Sequence, residues 1–178
     1  MEKYEVLIKI LDELRSEAPD KYKSYHRDDE DSLKSIRARC YIHLFLKVNF
    51  GILDFVEREK YITDGPYDGG IDAYFIDIDE KKIYYIQSKF RNTKENFIEK
   101  DILYKELLAM DIARIIRDGE KADEKGAKYN GKILNMQKAI SNLNESPMYK
   151  TEVIVLANAS NKECKNIKRA IGDFDYSI

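Results

Sequence analysis

The sequence predicts an α/β protein with a mixed central sheet of four to five strands flanked by helices. Two β-branched and aromatic segments at 71–78 and 83–89 are joined by a polar turn at 79–82, which is typical of a β-hairpin. An apolar segment at 152–157 is typical of a buried strand. Segments with helical spacing of apolar residues precede and follow the hairpin, and helices packed on a sheet are the natural layering of such elements.

Two helices are predicted before the sheet. From Tyr4 to Leu14 the apolar residues recur at helical spacing, and a proline closes the segment. After a charged, turn-forming stretch, Asp31 or Ser32 is a suitable N-cap for a second helix. The apolar stripe of that helix comprises Leu33, Ile36, Cys40, Leu44 and Val48.

A first strand is predicted at 53–59, after a glycine that ends the second helix. The loop 63–70 then places three glycines and one proline within eight residues, which indicates special backbone conformations. This loop leads directly into the hairpin.

Helices and one more strand complete the predicted order α-α-β-β-β-α-α-β-α. A long helix at about 95–117 has a broad apolar face, a short helix follows at 133–143, and a last helix at 161–171 has a basic side. We expect the long helix to pack on the sheet.

A chain of 178 residues is expected to form one domain. Its predicted parts are an N-terminal helix and linker at 1–30, a core at about 33–157, and a helical extension at 158–178. The sequence is compatible with a further region that follows this extension.

Charge and cysteine content exclude several classes of function. The formal charge of -2 gives no whole-molecule basic field, so any contact with nucleic acid must be local. Cys40 and Cys164 lack neighbouring ligands at metal-binding spacing, which argues against a zinc site and against a disulfide scaffold. No apolar run approaches the roughly 20 residues of a membrane-spanning helix. We therefore expect a cytoplasmic protein that does not engage a membrane.

The hairpin brings polar side chains from its two strands to one face. A two-residue turn at 80–81 and a four-residue loop at 79–82 give the same hairpin register. In this register Asp79 lies opposite Lys82, and Asp72 therefore lies opposite Lys89. Alternation of side chains then places Asp72, Gln87 and Lys89 on the same face. The ordinary interpretation is a cross-strand salt bridge between Asp72 and Lys89. The alternative is a functional site, which the apolar flanks of both strands and the glycine-rich entry to Asp72 favour.

A carboxylate beside an amide oxygen forms a hard oxygen site that suits Mg²⁺ or Mn²⁺. Asp72 and Gln87 would supply these two oxygens, and the backbone carbonyl of Ser88 a third. A divalent ion lowers the pKa of a bound water and stabilises charge on a phosphoryl oxygen. Lys89 would position the nucleophile and offset the developing negative charge. The pattern therefore predicts phosphodiester hydrolysis.

Two sets of residues carry a resemblance to known families. Asp68-Gly-Gly-Ile-Asp72 followed by Gln87-Ser-Lys89 resembles the D…QxK variant of the PD-(D/E)xK, or restriction-endonuclease-like, nuclease superfamily. A longer pattern is similar to the N-terminal region of abortive-infection phage-resistance (AIPR) proteins and covers roughly residues 33–157. That pattern comprises His43-Leu-Phe-Leu-Lys47, Glu57-Arg-Glu59, Thr63-Asp-Gly-Pro66 and Gln87-Ser-Lys-Phe-Arg91.

The resemblance implies an αβββαβ restriction-endonuclease-like core, dependence on Mg²⁺ or Mn²⁺, DNA as substrate, and a role in phage defence or restriction. It assigns Asp72, Gln87 and Lys89 to the catalytic site. Two alternatives stay open: a nuclease fold that has lost activity and serves binding or assembly, and a nuclease that cleaves RNA. A homodimer and a further C-terminal domain are both compatible with the sequence.

The sequence lacks the second metal-binding acid at the position where many members of the superfamily have it. Many members carry an acidic residue on the helix before the first strand, whereas residues 33–50 contain neither Asp nor Glu. Each candidate for a substitute has an ordinary structural interpretation: a histidine at the edge of the apolar stripe of the second helix, a solvated strand residue, or a turn-forming aspartate. The candidates are His43, Glu57, Asp64 and Asp68.

A surface for nucleic acid would need basic residues around the site. Lysines and arginines occur on the second helix and just after the QxK strand, although acidic residues are interleaved with them. The candidates are Lys34, Arg37, Lys47, Arg91 and Lys94.

Overall fold

The chain forms helices and a mixed sheet, which confirms the α/β class. The computed structural model describes residues 2–100, 110–143, 148–158 and 175–177. The predicted helix at 161–171 and Cys164 lie outside these ranges. The elements are α1 (Lys3–Ser16), a 3₁₀ turn (Lys23–His26), α2 (Glu30–Asn49), α3 (Phe55–Tyr61), β1 (Ala73–Asp77), β2 (Lys82–Lys89), α4 (Lys94–Glu99), a π-helical turn (Ala113–Arg117), α5 (Gly131–Ser141), β3 (Lys150–Ala157) and β4 (Asp175–Ser177). Among the helices so described, none combines the length and apolar character needed to cross a bilayer.

The chain divides into two compact units, each built from separated segments. Of the described residues, the first unit contains 2–60, 88–100 and 157–158. The second unit contains the remaining described residues, which include the loop 63–70, both hairpin strands up to Gln87, and α5.

The first unit is held together by a helical core. Its most buried apolar residues come from α1, the 3₁₀ turn, α2 and α3, and they include Leu11, Tyr25, Cys40 and Phe55. The second helix begins at Glu30 because the side chain of Asp29 accepts a hydrogen bond of 3.0 Å from the backbone nitrogen of Ser32. Asp29 is therefore the N-cap, and the prediction of Asp31 or Ser32 in that role is wrong by two to three residues.

The predicted first strand at 53–59 is wrong, since this segment forms α3. The Oδ1 atom of Asp54 accepts a hydrogen bond of 2.8 Å from the backbone nitrogen of Glu57, which satisfies a donor that only a helical start exposes. Phe55 and Arg58, one helical turn apart, are 4% and 0% exposed. The buried face of this short helix includes a charged residue, Arg58, so its helical spacing is not visible as a pattern of apolar residues.

The second unit contains a mixed sheet in the order β1-β2-β3-β4. Strands β1 and β2 are antiparallel, whereas β3 and β4 are parallel. Within the described residues, three strands have five to eight residues and β4 has three. In this part of the chain the sheet thus has fewer full strands than the four to five predicted, because 53–59 is helical. An isolated antiparallel bridge between Ile62 and Ala73 lies where that strand was expected to pair.

The hairpin register differs from the prediction by two residues. Asp77, rather than Asp79, pairs with Lys82. The loop is wider because Oδ1 of Asp77 accepts a hydrogen bond of 2.9 Å from the backbone nitrogen of Glu80, and Lys81 adopts a φ of 50°. A shift of two residues equals the side-chain period of a strand, so each side chain keeps its predicted face.

The predicted long helix at 95–117 is not continuous. Helix α4 ends at Glu99, and Lys100 follows with an extended backbone (φ -93°, ψ 124°). Residues 101–109 lie outside the described ranges, and a π-helical turn occupies Ala113–Arg117. The predictions for α5 and β3 are confirmed to within two residues at each end.

Candidate metal centre

Three aspartates converge in the second unit. One carboxylate oxygen from each of Asp64, Asp68 and Asp72 lies within 4.8 Å of the other two. Asp64 and Asp68 belong to the glycine-rich loop, and Asp72 immediately precedes β1. The structure thus brings together three acids that the sequence offered separately.

The backbone of the loop 63–70 makes this convergence feasible. Positive φ angles occur at Gly65 (154°), Tyr67 (59°), Gly69 (63°) and Gly70 (76°), so the chain reverses within a few residues. The backbone nitrogens of Thr63 and Asp64 both donate to the carbonyl oxygen of Asp72 over 2.9 Å. These hydrogen bonds hold the start of the loop against its end.

Asp68 is the turn-forming residue of the loop as well as a member of the cluster. Its Oδ1 accepts a hydrogen bond from the backbone nitrogen of Gly70 over 2.9 Å, and its Oδ2 accepts one from Gly65 over 3.2 Å. Its side chain is largely buried, with 9% of the residue exposed. These two backbone hydrogen bonds fix the orientation of the carboxylate within the loop.

Asn130 holds the loop from α5. Its side-chain nitrogen lies 3.2 Å from the carbonyl oxygens of both Thr63 and Pro66, and its backbone nitrogen donates to the carbonyl oxygen of Tyr67 over 3.0 Å. Its Oδ1 accepts a hydrogen bond from the backbone nitrogen of Ile133, so the same residue caps α5. One side chain therefore links the helix to the loop.

Gly69 is clamped on the other side of the loop. Its carbonyl oxygen accepts a hydrogen bond of 2.9 Å from the backbone nitrogen of Asp111, whose Oδ2 accepts one of 2.9 Å from the Tyr129 hydroxyl. A Cβ atom at Gly69 would lie 2.6 Å from Cδ1 of Ile115 and 3.2 Å from the Tyr129 ring. A side chain at position 69 would clash with Ile115, so this close contact of the loop requires glycine.

Gln87 lies beside the cluster on β2. The observed register, continued by one pair, places it opposite Asp72, whereas Lys89 was the predicted partner of Asp72. Gln87 is fully buried, and its side-chain nitrogen donates to the carbonyl oxygen of Gly70 over 2.9 Å. Ser88 and Lys89 end β2 and belong to the first unit, and their assignment to the site stays a prediction.

The donor set of the three aspartates fits a hard divalent cation. Carboxylate oxygens are the ligands that Mg²⁺ and Mn²⁺ prefer, and Mg²⁺ keeps several waters beside one or two carboxylates. Without a cation, three carboxylates this close repel one another. A cation bound between them would reduce that repulsion.

His43 has a structural setting in the first unit. It is fully buried, stacks on Phe55 with 4.4 Å between ring centroids, and its Nε2 lies 3.0 Å from both Oε2 of Glu59 and the hydroxyl of Tyr25. Arg58 donates to its Nδ1 over 3.2 Å. His43 thus belongs to the buried face of α2 and not to the edge of the apolar stripe, whereas Val48, predicted as part of that stripe, is 70% exposed.

Glu57 lies on α3, where its carboxylate forms an ion pair of 2.5 Å with Lys60. The only group of acids at metal-ligand distances found within the described residues is the aspartate cluster, so neither Glu57 nor His43 belongs to one there.

Four of the five basic residues predicted to contact nucleic acid form ion pairs in the first unit. Each pair directs a positive side chain to a neighbouring acid, which reduces the net charge offered to phosphate. The pairs are Lys34 with Glu30 and Asp31, Arg37 with Asp12, Lys47 with Glu17, and Lys94 with Glu2. Arg91 differs, since its backbone groups bond the side chain of Asn158.

Sequence reasoning missed the residues that support the site. Asn130 precedes Gly131 and a helical pattern, which is an N-cap signal, but nothing local indicates its bonds to a loop more than 60 residues earlier. Comparison of the chain with models of known protein families, with curated proteins and with solved structures gave no match. The chemistry of the site is therefore argued from its geometry.

Proposed function

We propose that this protein is a divalent-metal-dependent nuclease that hydrolyses phosphodiester bonds of DNA. The convergence of Asp64, Asp68 and Asp72 carries the proposal, because it supplies the further carboxylates that a site with Asp72 alone would lack. The buried amide of Gln87 on the adjacent strand supports it.

Asp72 and one of the two loop aspartates would hold Mg²⁺ or Mn²⁺, with Gln87 and the carbonyl of Ser88 as further oxygen ligands. When bound, the cation would supply a water of lowered pKa and stabilise negative charge on the phosphoryl group. Lys89 follows Gln87 by two positions on β2, so strand alternation puts both side chains on one face of that strand. In the proposed site its ammonium orients the nucleophile and offsets charge on the scissile phosphate.

A restriction-endonuclease-like core belongs to the same proposal. The antiparallel hairpin, the preceding helix and β3 are compatible with an αβββαβ arrangement whose first strand is reduced to the Ile62–Ala73 bridge. With the motif resemblance, this core favours a role in phage defence or restriction. The proposed location is the cytoplasm, where the DNA of an infecting phage is found.

The test is cleavage of supercoiled plasmid DNA by the purified chain with Mg²⁺, with Mn²⁺ and with EDTA. We expect metal-dependent nicking or degradation that is lost in Asp72→Asn, Asp64→Asn and Lys89→Met. Asp79→Asn, in the exposed hairpin turn, and Lys82→Met, at the start of β2, are the matched controls and should retain activity. Equal activity in the site variants and their controls would refute the mechanism.

A second candidate function has its own observation. Both oxygens of Asp68 accept backbone hydrogen bonds, an arrangement that stabilises the loop without any cation. A nuclease fold that serves binding or assembly would keep this arrangement and would bind no divalent ion at millimolar concentration. Calorimetric titration with Mn²⁺ separates the two candidates, and a parallel assay on single-stranded RNA separates DNA from RNA cleavage.

A further inference from the structure

A cavity of about 630 Å³ lies in the second unit, and its lining includes none of the residues assigned to the proposed metal centre. It lies between the π-helical turn Ala113–Arg117 and α5, beside the first residues of β2 and β3. Its volume falls within the range of about 300 to 1,000 Å³ that is typical of small-molecule sites.

The interior of the cavity is apolar. Ile83, Ile115 and Ile140 contribute to its wall and are themselves 3%, 1% and 6% exposed. Leu134 and Ile116 extend this surface. Ile116 and Leu134 are only partly buried, so they supply most of the apolar surface open to a ligand, whereas the three buried isoleucines belong to the packed core.

The rim of the cavity is cationic. Lys121 and Lys138 line it, and the lining in the described part of the chain contains no Asp or Glu. Arg114 and Arg117, in the adjacent turn, form ion pairs with Glu124 and Asp118. Neither lysine has such a pair with any residue that the structure describes, and both side chains are exposed to solvent.

The π-helical turn Ala113–Arg117 forms part of the cavity wall, and the side chain of Gln137 stabilises its backbone. The backbone nitrogen of Asp118 donates to the carbonyl oxygen of Ala113 over 3.0 Å, which is the long-period bond of a π-helix. The side-chain nitrogen of Gln137 donates to the carbonyl oxygens of Ile115 and Glu120 over 2.7 and 2.6 Å. Single π-helical turns are frequent at functional sites.

We propose that this cavity binds a small amphipathic organic anion. Ile116 and Leu134 contact its apolar body, and Lys121 and Lys138 bind its phosphate or carboxylate. Tyr149 lies in the lining and offers an aromatic surface to the body. Two sources share this chemistry, a nucleoside monophosphate and a medium-chain fatty carboxylate.

Calorimetric titration of the full chain tests the proposal with two matched pairs of probes. The pairs are adenosine 5′-monophosphate with adenosine, and octanoate with 1-octanol. We expect the charged member of at least one pair to bind about tenfold or more tightly than its uncharged partner. The pair that shows this difference identifies the source. Absence of binding by both anions, or equal binding within both pairs, would overturn the proposal.

Variants then locate the binding. In Lys121→Glu combined with Lys138→Glu, the affinity for the anion should fall about tenfold or more, whereas Lys125→Glu, an exposed lysine outside the lining, should leave it unchanged. Ser141→Trp should block the cavity with little change in melting temperature. Asp72→Asn should bind the anion normally, which keeps this result independent of nuclease activity. Binding that survives both lysine reversal and Ser141→Trp would refute the assignment.

Discussion

Arg58 donates a hydrogen bond from Nε to Nδ1 of His43 over 3.2 Å, and both side chains are fully buried. Because Arg58 stays protonated, Nδ1 of His43 must be an acceptor, so the neutral ring carries its proton on Nε2. Arg58 also donates to the carboxylate of Glu17 and to the carbonyl oxygen of Ile52. A second proton on His43 would place two N–H groups against each other in the core.

This relationship predicts a loss of stability at mildly acidic pH. Burial lowers the pKa of His43 below the ordinary value of 6.5, although its hydrogen bond to Glu59 opposes this effect. Between the folded and the unfolded pKa of His43, the unfolded chain therefore binds a proton at His43 that the folded chain does not bind. The contribution of His43 to the free energy of unfolding is fully present above about pH 6.5. It is lost as the pH falls through the folded pKa, at up to about 1.4 kcal/mol per pH unit.

Urea unfolding between about pH 7.5 and about pH 5 measures this slope. His26→Gln is the control and should leave the slope intact, since His26 lies exposed in the 3₁₀ turn. A free energy of unfolding that stays constant or rises toward acidic pH would contradict the expected burial of a neutral His43.

A second prediction concerns cation binding by the aspartate cluster. Mn²⁺ at about a hundredfold excess over its dissociation constant should stabilise the folded chain by about 2.7 kcal/mol. Asp64→Asn should abolish most of this gain, because it removes one of the three carboxylates that would hold the cation. Melting temperatures with and without Mn²⁺ measure both effects. An Asp64→Asn protein stabilised by Mn²⁺ as much as the parent would contradict the prediction.

A third prediction separates the two roles of Asn130. Asn130→Ala removes the cap of α5 and both side-chain bonds to the loop, and should cost about 2 to 3 kcal/mol. Asn130→Ser retains a cap acceptor and should recover about 1 kcal/mol of that loss. Both variants should bind Mn²⁺ more weakly, because they lack the hydrogen bonds from the Asn130 side chain that fix the loop 63–70.

Thr93→Ala provides the comparison for Asn130. It removes the cap bond of α4, which runs from the backbone nitrogen of Asn96 to Oγ1 of Thr93, at a cost of about 1 kcal/mol. Its affinity for Mn²⁺ should be that of the parent protein. If Asn130→Ser and Thr93→Ala bound Mn²⁺ equally well, Asn130 would be a helix cap without influence on the aspartate cluster.

A fourth prediction uses two glycines with nearly equal φ. Gly69→Ala places a methyl group 2.6 Å from Cδ1 of Ile115 at a φ of 63°, whereas Gly51→Ala at a φ of 67° meets no atom within 4 Å. Both substitutions carry a conformational cost of about 1 kcal/mol. Gly69→Ala should lose about 1 to 3 kcal/mol more, from overpacking. Chemical denaturation measures the difference, and equal losses would show that the loop is free to move away from Ile115.

The faces of the hairpin could be predicted from the sequence even though its register could not. Alternation along a strand depends only on local geometry, and the observed shift of two residues preserves it. The fate of 53–59 depended instead on a cap at Asp54 and on the burial of Arg58 against His43. A seven-residue helix has too few turns to display its period in the sequence.

The sequence by itself determined the α/β class, the hairpin, and the shared face of Asp72 and Gln87, because these follow from local patterns of apolar and polar residues. Only the tertiary structure decided which acids join Asp72. Positive φ angles turn the loop, Asn130 holds it from α5, and Asp111 binds the carbonyl of Gly69. These contacts join residues distant in sequence, and no local pattern records a hydrogen bond whose partner lies on another element.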